Sequence, residues 1–113
     1  MKRVEKPWGG EVWIAYDNGR YAGKILLINK GHRLSLQYHQ TKEETIYLEK
    51  GILKFTLEDE KGELKVWEMQ PGEKIDVPTG RKHRMEAVED CRIFEFSSPE
   101  LDDVVRVEDD YGR

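Results

Sequence analysis

Four side chains, distant from one another in the chain, carry the donor types that hold a transition-metal ion. Gln37 and His39 flank Tyr38 in an extended run, so both project to the same side of it. Glu44 follows at the entrance to the next run, and His83 opens a later one in which His83, Met85 and Ala87 share a face. Together they offer two imidazole nitrogens, one carboxylate and one amide oxygen. That mixed set suits one divalent ion of the Zn, Mn, Fe, Co or Ni type, with positions left for water or substrate oxygens. One carboxylate against a 2+ ion leaves about one net positive charge, enough to polarise a carbonyl or acidify a hydroxyl.

The elements that must position these residues are strands. Short alternating or apolar runs recur between turn signals, and nowhere does an i, i+3, i+4, i+7 pattern persist. The expected strands are Glu11 to Tyr16, Tyr21 to Asn29, Arg33 to Tyr38, Thr45 to Glu49, Leu53 to Glu58, Leu64 to Met69, Glu73 to Val77, Lys82 to Val88 and Arg92 to Phe96. Asp17-Asn18-Gly19, Lys30-Gly31, Lys50-Gly51, Asp59 to Gly62, Gln70-Pro71-Gly72 and Pro78-Thr79-Gly80 supply the turns between them. Many short strands at this spacing predict an all-β sandwich or barrel. In the run from Leu34 to His39, alternation puts Leu34, Leu36 and Tyr38 on a greasy face and Ser35, Gln37 and His39 on a polar one that would line a cavity. The greasy face needs cover from a second sheet, an N-terminal strand or another copy, and a homodimer is expected.

Composition narrows the function. The 113 residues form a single domain, 1–113, with no linker or repeat to mark a boundary. Nineteen Lys and Arg against 23 Asp and Glu give a net charge of −4 with no basic stripe, which speaks against nucleic-acid binding. The single cysteine, Cys91, rules out an internal disulfide framework and reads as a small buried hydrophobe. No run approaches the ~20 apolar residues of a membrane helix, and a cytoplasmic, membrane-free protein is expected. Trp8, Trp13 and Trp67 read first as core residues and His32, beside Gly31, as a surface residue.

The spacing around the four donors resembles the cupin superfamily. Gly31, then Gln37-Tyr38-His39, Glu44 and Gly51 fall at the separations of its first motif, with Gln37 replacing the first histidine. Gly72, Pro78-Thr79-Gly80 and His83 match the second, with Ala87 where asparagine often stands. The resemblance implies a double-stranded β-helix, a small jelly-roll barrel, with the metal ion inside on Gln37, His39, Glu44 and His83. When Pro7-Trp8-Gly9, Arg81-Lys82-His83-Arg84 and the ending from Asp103 to Arg113 are included, the chain is similar to the type II phosphomannose isomerase domain from about Lys6 onward. Thr45 stands where that pattern commonly has histidine.

That likeness implies interconversion of mannose 6-phosphate and fructose 6-phosphate through a cis-enediol(ate). Such chemistry needs an electrophile, a base that moves a proton between C2 and C1, and a phosphate anchor. The ion supplies the first; Glu43, Glu108 or a metal-bound hydroxide would serve as base. The family ending makes Arg106 the first candidate to contact substrate, with Arg84, Lys42 and Lys24 behind it. The expected partner is a small sugar or sugar phosphate. The alternatives are a metal-binding cupin that acts on another sugar, and a sensor that binds without turnover.

Overall fold

The computed structural model describes residues 1–113 and contains strands and turns, with no helix long and apolar enough to cross a membrane. Eleven strands run in chain order: β1 (Lys2–Lys6), β2 (Gly9–Ala15), β3 (Ala22–Ile28), β4 (Leu36–Tyr38), β5 (Glu44–Lys50), β6 (Leu53–Glu58), β7 (Leu64–Met69), β8 (Lys74–Val77), β9 (His83–Ala87), β10 (Cys91–Ser97) and β11 (Val105–Glu108). They form a six-stranded sheet in the order β1-β2-β3-β10-β5-β8 and a five-stranded sheet in the order β11-β4-β9-β6-β7. The strand pairs are antiparallel, and the inner faces of the two sheets enclose one apolar core, as expected of a jelly-roll sandwich.

The inner face changes character along its length. On β3 the buried positions run from Ile28 and Leu26 to Lys24; on β5 from Leu48 and Ile46 to Glu44. On β10 they run from Cys91 and Ile93 to Glu95, and on β9 from Ala87 and Met85 to His83. Register aligns these changes: Cys91 sits opposite Ile28, Ile93 opposite Leu26, and Glu95 opposite Lys24. One end of the barrel is therefore oily and closed, and the other is a charged cup. Burial of the first set drives folding, which holds the second set out of bulk water.

Gly51 shows how tightly the closed end is built. Its φ is +101°, and a Cβ there would lie 2.3 Å from the Asp90 carbonyl oxygen and 2.9 Å from both Cα and Sγ of Cys91. Backbone strain and a main-chain clash thus add. Gly51→Ala is expected to cost about 1–3 kcal/mol or more and to lower Tm by roughly 5 °C or more in a calorimetric scan. Cys91 is buried as expected, and burial pushes its thiol up to about 11.

Three features differ from the sequence reading. β1 and β11, both edge strands, fall outside the expected runs, although Val105-Arg106-Val107-Glu108 in β11 alternates apolar and charged residues. The run expected from Arg33 to Tyr38 is a regular strand only over Leu36–Tyr38, with Arg33 forming an isolated bridge to Glu86. The break falls at Ser35, which is fully buried, so Leu34 joins the core and lines the same cavity as Gln37 and His39. Leu34 therefore does not belong to an outward face shared with Leu36, and a homodimer cannot use it. Exposed apolar side chains lie elsewhere: Ile14, Tyr21 and Phe96 border a groove over Gly23, Ile25 and Phe94 of the six-stranded sheet, and Leu64 and Val66 are exposed on β7.

Candidate metal centre

At the charged end, His39 follows β4, Glu44 begins β5 and His83 begins β9. The two imidazoles and the carboxylate are each almost fully buried, and one donor atom from each lies within 4.8 Å of the others. His83 Nε2 is 3.1 Å and His39 Nε2 3.5 Å from Glu44 Oε1. Each ring's Nδ1 faces a backbone carbonyl, that of Asp103 for His39 and, at 3.0 Å, that of Arg81 for His83. A carbonyl only accepts, so each Nδ1 carries the proton and each Nε2 turns a lone pair toward the carboxylate; the tautomers are assigned from these partners.

The result is a buried convergence of acceptors. His39 Nε2, His83 Nε2 and Glu44 Oε2 are buried without a hydrogen-bond partner. Lone pairs at such separations repel unless a cation or proton lies among them. Outer carbonyls that fix the ring tautomer, with Nε2 atoms aimed at one carboxylate, are an arrangement that could hold a divalent ion. The same demand shows in the titration of the residues. Burial opposes a charged His39, but Glu44 outweighs it and raises the imidazole above its ordinary value. Burial likewise opposes the Glu44 charge, yet His39, His83 and Lys42 hold its carboxyl well below the usual range. Gln37 pairs with His83 across β4 and β9 and lines the cavity, where its Oε1 accepts the Ser35 hydroxyl at 2.7 Å.

The cavity above this group measures about 400 Å³, and the C-terminal segment from Leu101 to Val104 forms part of its wall. Lys42 reaches across it, with Nζ 3.4 Å from Glu44 Oε2 and 3.1 Å from Glu95 Oε2. Burial disfavours its charge, but Glu95 and then Glu44 raise the ammonium above its ordinary range. Burial and the neighbouring Glu44 charge raise the Glu95 carboxyl, although Lys42 and Lys24 pull the other way. Lys24 is also buried, 3.5 Å from Glu11 and 4.6 Å from the centre of the Trp13 ring, whose Nε1–H donates to Glu11 at 2.7 Å.

Of the residues singled out from sequence, Lys24, Lys42 and Arg106 line this cavity with Gln37 and His39. Arg84, Glu43 and Glu108 do not. Glu43 lies one residue from inward-facing Glu44 and is exposed on the opposite side of the chain, beside Ser98. Arg106 is opposite Gln37, but a bulge after it sets Glu108 opposite Leu36. The extra residue turns Glu108 to the outer face, where it lies 3.6 Å from Arg84. Arg84, adjacent to inward His83, donates to the Leu34 carbonyl at 2.9 Å and borders a separate outer groove.

Sequence reasoning missed Glu95 and Asp103. Glu95 sits in a run of alternating character, but only the register against Lys24 reveals it as a cup residue. Trp8 is a core residue as expected, whereas Trp13 forms cup wall with the ammonium groups of Lys2 and Lys24 over its ring, and Trp67 is partly exposed against Phe55. His32 is half-buried, with Nδ1 2.9 Å from the Tyr111 hydroxyl.

Comparison with known proteins agrees with this architecture. The profile of the family described as Cupin domain matches residues 24–97. Over 99% of its length the chain is 31% identical to mannose-1-phosphate guanylyltransferase from Salmonella montevideo and, likewise over 99%, 31% identical to that from Escherichia coli strain K12. It spans about a quarter of those relatives, 24% and 23% respectively. Among solved structures, capsular polysaccharide assembling protein CapF from Staphylococcus aureus superposes with a TM-score of 0.83 at 16% identity, covering 95% of this chain and 31% of that one. Oxalate decarboxylase from Bacillus subtilis gives 0.81 at 19% identity, covering 93% and 29%. These two likenesses concern the fold alone. With its two sheets, its polar cup and a profile match across most of its length, the chain belongs to the cupin family.

Proposed function

We propose that the protein is a metal-dependent aldose–ketose isomerase of a phosphorylated hexose, with mannose 6-phosphate and fructose 6-phosphate as the pair to test first. The observation that carries this reading is the buried His39, Glu44 and His83 group, facing a cup that also holds a carboxylate outside that group, Glu95. The likeness to the isomerase domain and relatives named for chemistry on mannose 1-phosphate support the choice of sugar.

His39, Glu44 and His83 would hold one divalent ion, with the Gln37 amide oxygen as fourth protein donor. When bound, that ion supplies an electrophile for the substrate's carbonyl and hydroxyl oxygens. Glu95 is the base. Its Oε2 is taken by Lys42 and its Oε1 makes no hydrogen bond, so Oε1 is placed to accept the proton from C2 and return it to C1. The hydroxyl proton on O2 passes to O1 in the same interval, so the sugar is isomerised with no net gain or loss of protons. Lys42 and Glu95 are both buried, which strengthens their pairing beside the reacting carbons.

Charge pairing gives the substrate a direction. Deep in the cup, Lys24 is matched by Glu11, and Lys42 by Glu44 and Glu95. Arg106 and Lys6 line the cavity with no ion-pair partner. The neutral carbons therefore go in first and the phosphate stays with Arg106 and Lys6. Arg106→Ala should leave metal content unchanged and lower kcat/KM for the phosphorylated sugar about 10–100-fold, the loss of a charged hydrogen bond worth roughly 1.5–3 kcal/mol. Activity on the unphosphorylated sugar should not change.

The deciding assay is conversion in D2O with each metal in turn, following deuterium entry at C2 and formation of the ketose. Full activity in metal-stripped protein removes the reading. Saturable sugar binding without exchange assigns the cup to the alternative, a ligand-binding module, and exchange only with other sugars moves the substrate.

A further inference from the structure

The loop between β4 and β5 carries the first histidine of the centre and Lys42, yet it has no strand partner of its own. Two distant segments hold it. On one side the Gly80 amide donates to the His39 carbonyl at 2.8 Å, and the Thr79 hydroxyl donates to the carbonyls of Thr41 at 3.0 Å and Lys42 at 3.2 Å. On the other side stands Asp103. Its Oδ1 accepts the Gln40 amide at 3.0 Å, and its Oδ2 accepts those of Thr41 at 2.7 Å and Lys42 at 2.8 Å. Three successive N–H groups directed at one carboxylate make an anion nest, and such charge-assisted bonds are among the stronger ones a loop can make. The main chain of the same residue supplies the carbonyl that accepts His39 Nδ1–H.

We propose that Asp103 is a positioning residue of the metal centre. Its carboxylate fixes the loop from Gln40 to Lys42, and this keeps its carbonyl in register with the His39 ring, so that Nε2 keeps its lone pair toward Glu44. The inference rests on the reading of His39, Glu44 and His83 as metal ligands. It gives the C-terminal segment a role beyond forming cup wall: the segment sets the tautomer of a ligand more than sixty residues earlier.

The test uses Asp103→Ala, Asp103→Asn and, as a control, Asp110→Ala. The control removes the two bonds from Arg33 at 2.6 and 2.9 Å, another anchor of the same segment that does not touch the centre. Mn(II) and Co(II) affinities are measured by titration, the Co(II) spectrum reports coordination, and nitrogen NMR of the metal-free protein reports the His39 tautomer. Asp103→Ala should weaken both ions about 10–100-fold, as losing an outer hydrogen bond to a ligand does. It should also shift the tautomer away from Nδ1–H and alter the Co(II) spectrum. Asp103→Asn, which keeps one acceptor oxygen, should recover part of the affinity even if the alanine variant folds poorly. Asp110→Ala should bind within twofold of the parent.

Unchanged affinity and tautomer in Asp103→Ala and Asp103→Asn would overturn the proposal. Equal losses in the Asp110→Ala control would do the same, by showing general loosening. If the parent takes up neither ion while the tautomer still shifts in Asp103→Ala, the metal reading fails and the control of His39 by Asp103 stands.

Discussion

Glu95→Gln is expected to lower turnover by about two to four orders of magnitude, the usual contribution of a positioned general base, while the protein retains its metal. Glutamine has the same shape, and its amide oxygen can keep the 3.1 Å contact with Lys42 that Oε2 now makes. It cannot take a proton from carbon. Lys42 also keeps its 3.4 Å neighbour Glu44, so the ammonium is not left without a counter-charge. Metal content by mass spectrometry and deuterium exchange at C2 are measured on the same preparation. Normal exchange in this variant places the base elsewhere, and loss of metal together with exchange assigns Glu95 a structural part.

Glu44→Gln and His83→Ala should each abolish metal uptake and activity together. Glu44 carries the only negative charge in the group of three, and removing it leaves two neutral imidazoles with the Lys42 ammonium nearby. An incoming dication would then meet net repulsion in a buried site, so the loss should exceed the 10–100-fold typical of an outer hydrogen bond. His83 lies at the bottom of the cup with no exposed surface, so no neighbouring donor or water can readily replace its Nε2. Thermal denaturation separates loss of binding from loss of fold. An ion present at a hundred times its Kd stabilises the parent by about 2.7 kcal/mol, which for a domain of this size raises Tm by roughly 10 °C or more. Both variants should show a cooperative transition that added metal does not move. A metal-dependent shift equal to that of the parent would remove the residue concerned from the ligand set.

The candidate group of His39, Glu44 and His83 was legible in the sequence because its pieces lie in two motifs of fixed spacing. Alternation along an extended chain puts Gln37 and His39 on one side, and the glycines at 31, 51, 72 and 80 adopt positive φ at the turns that separate the motifs. Locating the carboxylate proposed as base required more. Glu43 and Glu108 sit beside cup residues in the chain, yet the first has the wrong parity and the second lies beyond a bulge. A bulge changes the facing of all that follows it while leaving no fixed mark in the residue types.

The residues alone determined the strand-rich fold and the order of its turns, since each follows from periodicity, turn chemistry or side-chain type within a few neighbours, and the spacing of two motifs pointed to His39, Glu44 and His83 as a group. The tertiary structure decided which strands lie side by side and at what offset, and so placed Glu95 beside Lys24, paired Lys42 with Glu95, and brought Asp103 back to the loop after His39. Those contacts join positions more than fifty residues apart. Their energy comes from burying both sheets' inner faces at once, a condition on the whole chain that no short segment encodes.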